Sequence, residues 1–248
     1  METREENIRI WADTIHQCLY GKYKNCPASK SFLCTNLSLV PNRKYLTTIN
    51  VINVDTLTCC QILSDQGLNV LGLNMAAPGH PGGGVGRGCF AQEENCFRRS
   101  NYFLALPKIP ELYPIPENGC IYTKTITVIK DQKYQLLEKP FTVSMVACAA
   151  LRHPPMKSNG EYLKDSDQQL MKDKIDQIFQ TGLLNQHDCL VLSAFGCGAF
   201  GNNPTIVAEL FNEAIKKYWG CFKNITFAVL SYKDNNYAVF KQKIQTIY

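Results

Sequence analysis

A glycine-rich segment between Pro78 and Gly88 constrains the fold of this 248-residue chain more than any other feature. It reads PGHPGGGVGRG, so three consecutive glycines permit a positive φ while two prolines oppose helix and strand. The apolar run before it, residues 68–74, indicates a short buried strand that ends at Asn74. A strand must therefore stop here and give way to a loop whose backbone can approach a ligand closely.

The segment that follows, Ala91-Gln92-Glu93-Glu94, predicts the start of a helix that runs to about Leu106. Its first turn carries two carboxylates beside a loop whose N–H groups suit an anion. Taken singly, glycines most often serve turn geometry, and glutamates in a first turn most often only favour the helix dipole. The combination favours a functional site, because three glycines in a row are costly to order and no hairpin needs so many.

A second glycine-rich loop, FGCGAFGN at residues 195–202, precedes a helix that Pro204 opens. Its Gly196, Gly198 and Gly201 have the spacing of a dinucleotide fingerprint, but the acidic residue expected at the end of a following strand is missing. A glycine-rich turn from strand to helix still suits a phosphate. Two such loops at the carboxyl ends of strands predict a ligand with several phosphates, or one pyrophosphate held from both sides.

Strand and helix patterns alternate along the chain, which predicts an α/β fold. An amphipathic helix at 3–20 and a long irregular loop at 21–43 come first. Strand 45–54, helix 55–67 and strand 68–74 would form a unit whose strands pair in parallel. We also expect an exposed proline-rich connection at 107–119 and a polar loop at 151–164. The other predicted elements are strands at 121–129, 141–150, 188–194 and 225–231, and helices at 165–182, 204–219 and 235–247.

Composition excludes several classes of protein. The sequence has neither an apolar run long enough for a membrane span nor a secretory signal, so we expect an intracellular protein that does not bind a membrane. The net charge of +5 has no Lys/Arg run behind it, which suits an anionic ligand better than duplex nucleic acid. No G-x-x-x-x-G-K-[ST] motif is present, which argues against a nucleoside triphosphatase.

Twelve cysteines are scattered without zinc-ligand spacing, so we expect no metal and no disulfide framework. Cys148, Cys189 and Cys197 lie in apolar segments and are interpreted as small buried hydrophobic residues. A cysteine nucleophile is an open alternative, although no pattern selects one.

Two blocks together resemble the microbial-type branch of the poly(ADP-ribose) glycohydrolases. They are LNMAAPGHPGGGVGRGCFAQEENCFRRS at 73–100 and SAFGCGAFGNNP at 193–204, and the resemblance extends from about Tyr45 to the C-terminus. Met75 replaces the usual Phe, and Gly79-His80 replaces small or charged residues. The resemblance implies a macrodomain-like three-layer α/β/α fold with a central mixed sheet over residues 45–248. Residues 1–44 would be a helix-and-loop extension packed on that domain.

The resemblance also implies hydrolysis of the ribose–ribose bonds of poly(ADP-ribose), with release of ADP-ribose. Glu94 matches the catalytic acid, Glu93 the neighbour that positions substrate hydroxyls, and Asn74 a ribose contact. ADP-ribosylated proteins would be the partners of a monomer that uses no cofactor and no metal. The other implied ADP-ribose-binding residues are Gly82, Gly83, Gly84, Gln92, Gly196, Cys197, Gly198, Ala199, Phe200 and Gly201.

Three alternatives stay open at this stage. The chain could be an ADP-ribose-binding macrodomain without turnover, or a hydrolase of single protein-linked ADP-ribose units. A hydride-transferring dinucleotide enzyme is favoured only by the Gly196 loop.

Overall fold

Seven strands form one mixed sheet in the computed structural model, which describes residues 2–231 and 234–244. The strands are β1 (Phe32–Thr35), β2 (Thr48–Ile52), β3 (Val70–Met75), β4 (Gly119–Lys130), β5 (Leu136–Cys148), β6 (Cys189–Leu192) and β7 (Asn224–Ala228). The helices are α1 (Arg4–Leu19), α2 (Thr56–Asp65), α3 (Gln92–Arg99), α4 (Tyr102–Ala105), α5 (Asp165–Leu184), α6 (Pro204–Lys217) and α7 (Asn236–Lys243), with a 3₁₀ turn at Val85–Arg87.

The order across the sheet is β1-β4-β5-β3-β6-β7-β2. Strand β3 lies in the middle and pairs in parallel with β5 on one side and β6 on the other. Only the β4 side of the sheet is antiparallel, through its pairs with β5 and β1. Because parallel strands end at the same edge, the segments that follow β5, β3 and β6 emerge side by side.

Helices cover both faces of the sheet, so the predicted three-layer α/β/α fold with a central mixed sheet is confirmed. On one face α5, α6 and α7 bury large apolar side chains such as Phe179, Phe211 and Phe240. On the other face α2, α3 and α4 contribute Leu57, Phe97 and Tyr102. Each such side chain contributes roughly 1.5–3 kcal/mol when fully buried, so both layers stabilise the sheet.

Local capping explains why two helices begin where the sequence predicts. The Asp55 carboxylate accepts a hydrogen bond from the Thr58 backbone N–H at 3.0 Å and so caps α2. Asn203 caps α6 through the Thr205 N–H, with Pro204 at the first helical position. Both caps therefore start a helix after a segment that leaves the sheet, since α2 follows β2 and α6 follows β6.

The predicted helix from Ala91 to Leu106 is wrong in its length, because it breaks at Ser100. Ser100 is extended at φ −144°, and its hydroxyl bonds back to the Cys96 carbonyl at 2.7 Å. The residue also forms an isolated antiparallel bridge with Val128 of β4. The serine hydroxyl and the neighbouring strand together replace the helical hydrogen bonds at this point.

Three other predictions need correction. Strand β1 lies inside the segment 21–43, which was expected to be irregular, and its four residues are too few to give a periodic signal. Strands β2 and β3 are parallel but do not pair, since β6 and β7 lie between them. The connection 107–119 is only partly exposed, because Leu112, Tyr113 and Ile115 are buried against the α2–α4 layer.

The cysteines, the apolar character of the helices and the end of the terminal helix were also predicted from the sequence. Cys148 and Cys189 are buried, Cys197 is half-buried, and all cysteines are free. Across residues 2–231 and 234–244, no helix combines the length and the apolar character needed to cross a bilayer. The predicted end of the terminal helix at Ile247 lies outside the described residues.

Candidate active site

Two neighbouring carboxylates at the start of α3 are held by the first glycine loop. Glu93 accepts three hydrogen bonds: its Oε1 takes the Gly82 N–H at 3.0 Å and the Asn74 side-chain amide at 3.3 Å, and its Oε2 takes the Ala77 N–H at 2.8 Å. Glu94 Oε1 accepts the Gly84 N–H at 2.8 Å. The amide groups of Gly82 and Gly84 are therefore turned inward, toward the acid pair.

Glycine is required at position 83 by both space and backbone conformation. A Cβ on Gly83 would lie 2.5 Å from Glu94 Oε1 and 3.1 Å from Glu93 Oε2, closer than such contacts allow. Its φ of +53° is also in the left-handed region. The triple glycine thus lets the backbone lie directly against both carboxylates, a role that the sequence pattern alone does not distinguish from phosphate binding.

The two carboxylates differ in whether both of their oxygens have a hydrogen-bond partner. Glu94 is 7% exposed, and its Oε2 is buried without a hydrogen-bond partner in the part of the chain that the structure describes. Glu93 is more deeply buried and has hydrogen bonds to both oxygens. The two side chains, roughly 100° apart on the helix, therefore lie in different environments.

Burial raises the pKa of Glu93 to about 8, although the hydrogen bonds from Ala77, Gly82 and Asn74 act in the opposite direction. A smaller contribution, also upward, comes from the neighbouring Glu94 carboxylate. A carboxyl group with this pKa, deep in a site, is typical of functional positions.

Asn74 stands at the end of β3, fully buried beside Glu93. Its side-chain N–H₂ donates to Glu93, while its Oδ1 has no partner among the residues that the structure describes. The Tyr102 hydroxyl lies beside the side chains of Asn74 and Thr123, and the Tyr113 hydroxyl is buried without a partner in the described ranges. Buried polar atoms are normally satisfied, so Asn74 and Tyr102 form a polar cluster directly next to the acid pair.

Gln92 occupies the same helix start but directs its amide to the protein. Its Oε1 accepts the Met75 N–H at 2.9 Å, and its Nε2 donates to the Leu73 carbonyl at 2.6 Å and to Thr56 Oγ1 at 2.9 Å. These contacts tie the first turn of α3 to β3 and α2. Ligand contact by this side chain stays a prediction; in the structure it fixes the direction in which the acid pair points.

The second glycine loop lies beyond the carboxyl end of β6, the neighbour of β3. Gly196 and Gly201 have positive φ values of 74° and 69°. The N–H groups of Gly198, Ala199 and Phe200 donate to no acceptor within the described part of the chain. Cys197 is half-buried, and its thiol faces the Phe195 carbonyl at 3.7 Å. This loop therefore offers three consecutive amides, those of Gly198, Ala199 and Phe200, to an anion.

A third segment, residues 149–155 after β5, borders the second loop and escaped the sequence analysis. The His153 N–H donates to the Phe200 carbonyl at 2.8 Å, and Asn202 Nδ2 donates to the Leu151 carbonyl at 2.7 Å. Its sequence carries no glycine pattern, and only the sheet order, with β5 next to β3, brings it to the site. A basic residue shortly after the end of a strand, Arg152, was the available signal.

The described residues, 2–231 and 234–244, contain no group of three histidine, cysteine or acidic side chains that could hold a metal ion. Metal independence therefore stays a prediction for experiment, resting on the chemistry that a positioned carboxylic acid can supply.

Comparisons with known proteins identify a family that the chain matches. The family model "Microbial-type PARG, catalytic domain", where PARG is poly(ADP-ribose) glycohydrolase, matches residues 8–131, which is half of the chain. That span begins before Tyr45 and includes the first glycine loop and the acid pair. A comparison with curated proteins gives no match.

Solved structures of two bacterial enzymes share the fold. Poly(ADP-ribose) glycohydrolase from Thermomonospora curvata is 24% identical with a TM-score of 0.84, over 96% of this chain and 99% of that one. The enzyme from Deinococcus radiodurans in complex with ADP-ribose is 24% identical with a TM-score of 0.72, over 86% and 93%. With the family match over half its length, the chain belongs to the microbial-type poly(ADP-ribose) glycohydrolase catalytic domain family.

Proposed function

We propose that this protein hydrolyses the ribose–ribose O-glycosidic bonds of poly(ADP-ribose) and releases ADP-ribose. Family membership supports the activity, and one observation supports the chemistry: Glu94 has one oxygen held by the Gly84 N–H and the other buried and free. A carboxyl group fixed through one oxygen can present the other in a single direction. This is what a general acid needs in order to reach one particular bond.

In the proposed reaction, protonated Glu94 Oε2 gives its proton to the leaving ribose oxygen as the anomeric carbon gains oxocarbenium character. The resulting carboxylate then takes a proton from water as that water attacks. One carboxyl group serves both steps, and the chain's own residues supply all the proton transfers. We therefore propose that neither a metal nor a cofactor is needed.

Glu93 and Asn74 would hold the ribose that is attacked. Asn74 Oδ1 is a buried acceptor that a ribose hydroxyl can satisfy, and the three N–H donors on Glu93 fix its carboxyl group in place. Since this ribose lies beside the first loop, the sugar attacked is the one distal to adenine.

The second loop would hold the diphosphate with the free N–H groups of Gly198, Ala199 and Phe200, and the Phe200 ring would flank the ribose. In the triple glycine, the Gly82 and Gly84 amides already donate to the carboxylates, which leaves the Gly83 amide as the one of these three that can bind the ligand. Adenine would lie farther out. Structures of relatives with ADP-ribose or the inhibitor ADP-HPD support an ADP-ribose ligand.

We propose that the enzyme is an intracellular monomer that acts on ADP-ribosylated proteins and does not bind duplex nucleic acid. The modest net charge of +5, without a basic run in the sequence, supports the last point.

The first prediction concerns Glu94→Gln, which keeps the shape of the side chain and its hydrogen bond from Gly84 but cannot transfer a proton. We expect release of ADP-ribose from the polymer to fall by about 10²–10⁴-fold. Binding of ADP-ribose, measured by calorimetry, should be retained. Glu138→Gln, a change at an exposed glutamate in β5, is the matched control and should keep full activity. An active Glu94→Gln enzyme would remove this residue from the mechanism.

The same assay separates the rival functions. Parent protein, with excess chelator present, is incubated with poly(ADP-ribose) and then with protein carrying single ADP-ribose units. Free ADP-ribose from the polymer alone supports the proposal. Release from both substrates would show that the enzyme also removes single ADP-ribose units from protein. Binding without any turnover would identify a binding module. Activity that is lost in chelator and restored by magnesium or zinc would contradict metal independence.

A further inference from the structure

The side chain of Arg152 lies over the Phe200 ring, with 5.9 Å between the guanidinium carbon and the ring centroid. Within the residues that the structure describes, Arg152 forms neither a hydrogen bond nor an ion pair. A guanidinium has five N–H donors, and stacking on a ring leaves the edges that carry them open. Arg152 therefore presents an unneutralised charge beside the second glycine loop.

The backbone around Arg152 is fixed to that loop on both sides. The residue before it, Leu151, accepts a hydrogen bond from Asn202 Nδ2, and the residue after it, His153, donates to the Phe200 carbonyl. Asn202 is itself held, because its Nδ2 also donates to the Gly196 carbonyl at 3.0 Å and its Oδ1 accepts the Tyr162 hydroxyl at 2.8 Å. The third segment and the second loop thus form one wall, and the arginine has a defined position on it.

We propose that Arg152 binds a phosphate oxygen of the ADP-ribose unit in the site and so helps to determine specificity for diphosphate ligands. The inference rests on the proposed function. The neighbouring N–H groups of Gly198, Ala199 and Phe200 are free donors without a charge of their own. A guanidinium at their side adds the charge that a diphosphate requires, and the planar fork matches phosphate oxygens. Phe200 then has two partners, the ribose and the arginine.

The experiment compares Arg152→Ala with Lys157→Ala by calorimetry with ADP-ribose and with adenosine. Lys157 is the matched control, because it lies in the same connection but is already paired with Glu161 at 3.2 Å. We expect Arg152→Ala to weaken ADP-ribose binding about tenfold, the scale of one charge-assisted contact, and to raise KM with little change in kcat. Lys157→Ala should bind like the parent. Adenosine binding should be equal in all three proteins, since adenosine has no phosphate.

The salt dependence of ADP-ribose affinity is a second measurement, and Arg152→Ala would not change it if Arg152 had only a structural role. Added salt screens the arginine–phosphate contact, so ADP-ribose affinity should fall more steeply with salt in the parent than in Arg152→Ala. Unchanged ADP-ribose affinity in Arg152→Ala would overturn the inference, as would an equal loss in Lys157→Ala or an equal loss for adenosine. Failure of the parent to release ADP-ribose from the polymer would instead overturn the proposed function, so the two failures are distinguishable.

Discussion

At the scale of single residues, the acid pair shows how one local environment gives two carboxylates different properties. Both lie in the first turn of α3, where the helix dipole favours the charged form. For Glu93 burial outweighs this, and its pKa rises from the usual 4.5 to about 8. In the folded protein Glu93 therefore keeps its proton to a higher pH than it does in the unfolded chain.

This shift predicts how stability depends on pH. Because the folded-state pKa is the higher one, unfolding releases a proton between about pH 4.5 and pH 8, and the contribution of Glu93 to stability is lost as the pH rises through that window. Glu93→Gln cannot titrate. Its amide also places N–H₂ against a backbone N–H, since Glu93 accepts donors on both oxygens.

We expect Glu93→Gln to be less stable than the parent by about 1–3 kcal/mol at pH 5, and the difference to narrow at pH 8. Urea unfolding at the two pH values measures this, with Glu138→Gln as a control that should follow the parent at both. A gap between parent and Glu93→Gln that is the same at pH 5 and pH 8 would show that Glu93 does not titrate in this range.

At the scale of elements, the first glycine loop is a support for α3, and two of its glycines allow a matched test. Gly83 combines a positive φ with a close approach to Glu94, whereas a Cβ on Gly86 would meet nothing within 4 Å. Gly83→Ala should strain the backbone by about 1–2 kcal/mol and displace the Glu94 carboxylate.

For Gly83→Ala we expect activity to fall by about 10²-fold, because the displaced Glu94 carboxyl group no longer points at the bond to be cleaved. This fall is larger than the loss of stability explains. Gly86→Ala should keep both activity and thermal stability. Measured kcat and unfolding midpoints for the two variants decide the matter. If both alanines are tolerated equally, the loop does not determine the position of Glu94.

The same scale shows what the sequence could predict. Elements with a local cause were predictable: Asp55 caps α2, Pro204 opens α6, and the run before Asn74 is a strand. Features that depend on distant partners were not. Helix α3 stops at Ser100 because β4 offers Val128 as a partner, and no spacing near residue 100 reveals this. The third segment reaches the site only because β5 lies next to β3.

At the scale of the whole molecule, α1 is connected to the elements that carry the site. Thr14 Oγ1 donates to the Arg98 carbonyl at 2.5 Å, at the end of α3, and Arg4 Nε donates to the Arg87 carbonyl at 2.6 Å, at the end of the first glycine loop. Lys130 is 1% exposed and reaches Asp13 at 2.7 Å and the Ile10 carbonyl at 3.0 Å. Burial lowers the pKa of this lysine, which Asp13 opposes. Detaching α1 would leave buried polar groups of the core unpaired.

The last prediction is that the extension, residues 1–44, and the domain at 45–248 unfold as one cooperative unit. The chain has two tryptophans, and they report on the two parts: Trp11 packs against Phe97 and Phe103, and Trp219 packs on the opposite layer.

Trp11→Phe leaves only Trp219 as a reporter, and Trp219→Phe leaves only Trp11. Within each variant, the urea midpoint from tryptophan fluorescence should equal the midpoint from far-UV circular dichroism, since α1 cannot leave without exposing Lys130 and the Arg98 carbonyl. Comparing the two signals inside one variant cancels any stability lost through the substitution itself. A Trp11 transition at lower urea than the loss of secondary structure would mean that the extension detaches first, and would contradict a single cooperative unit.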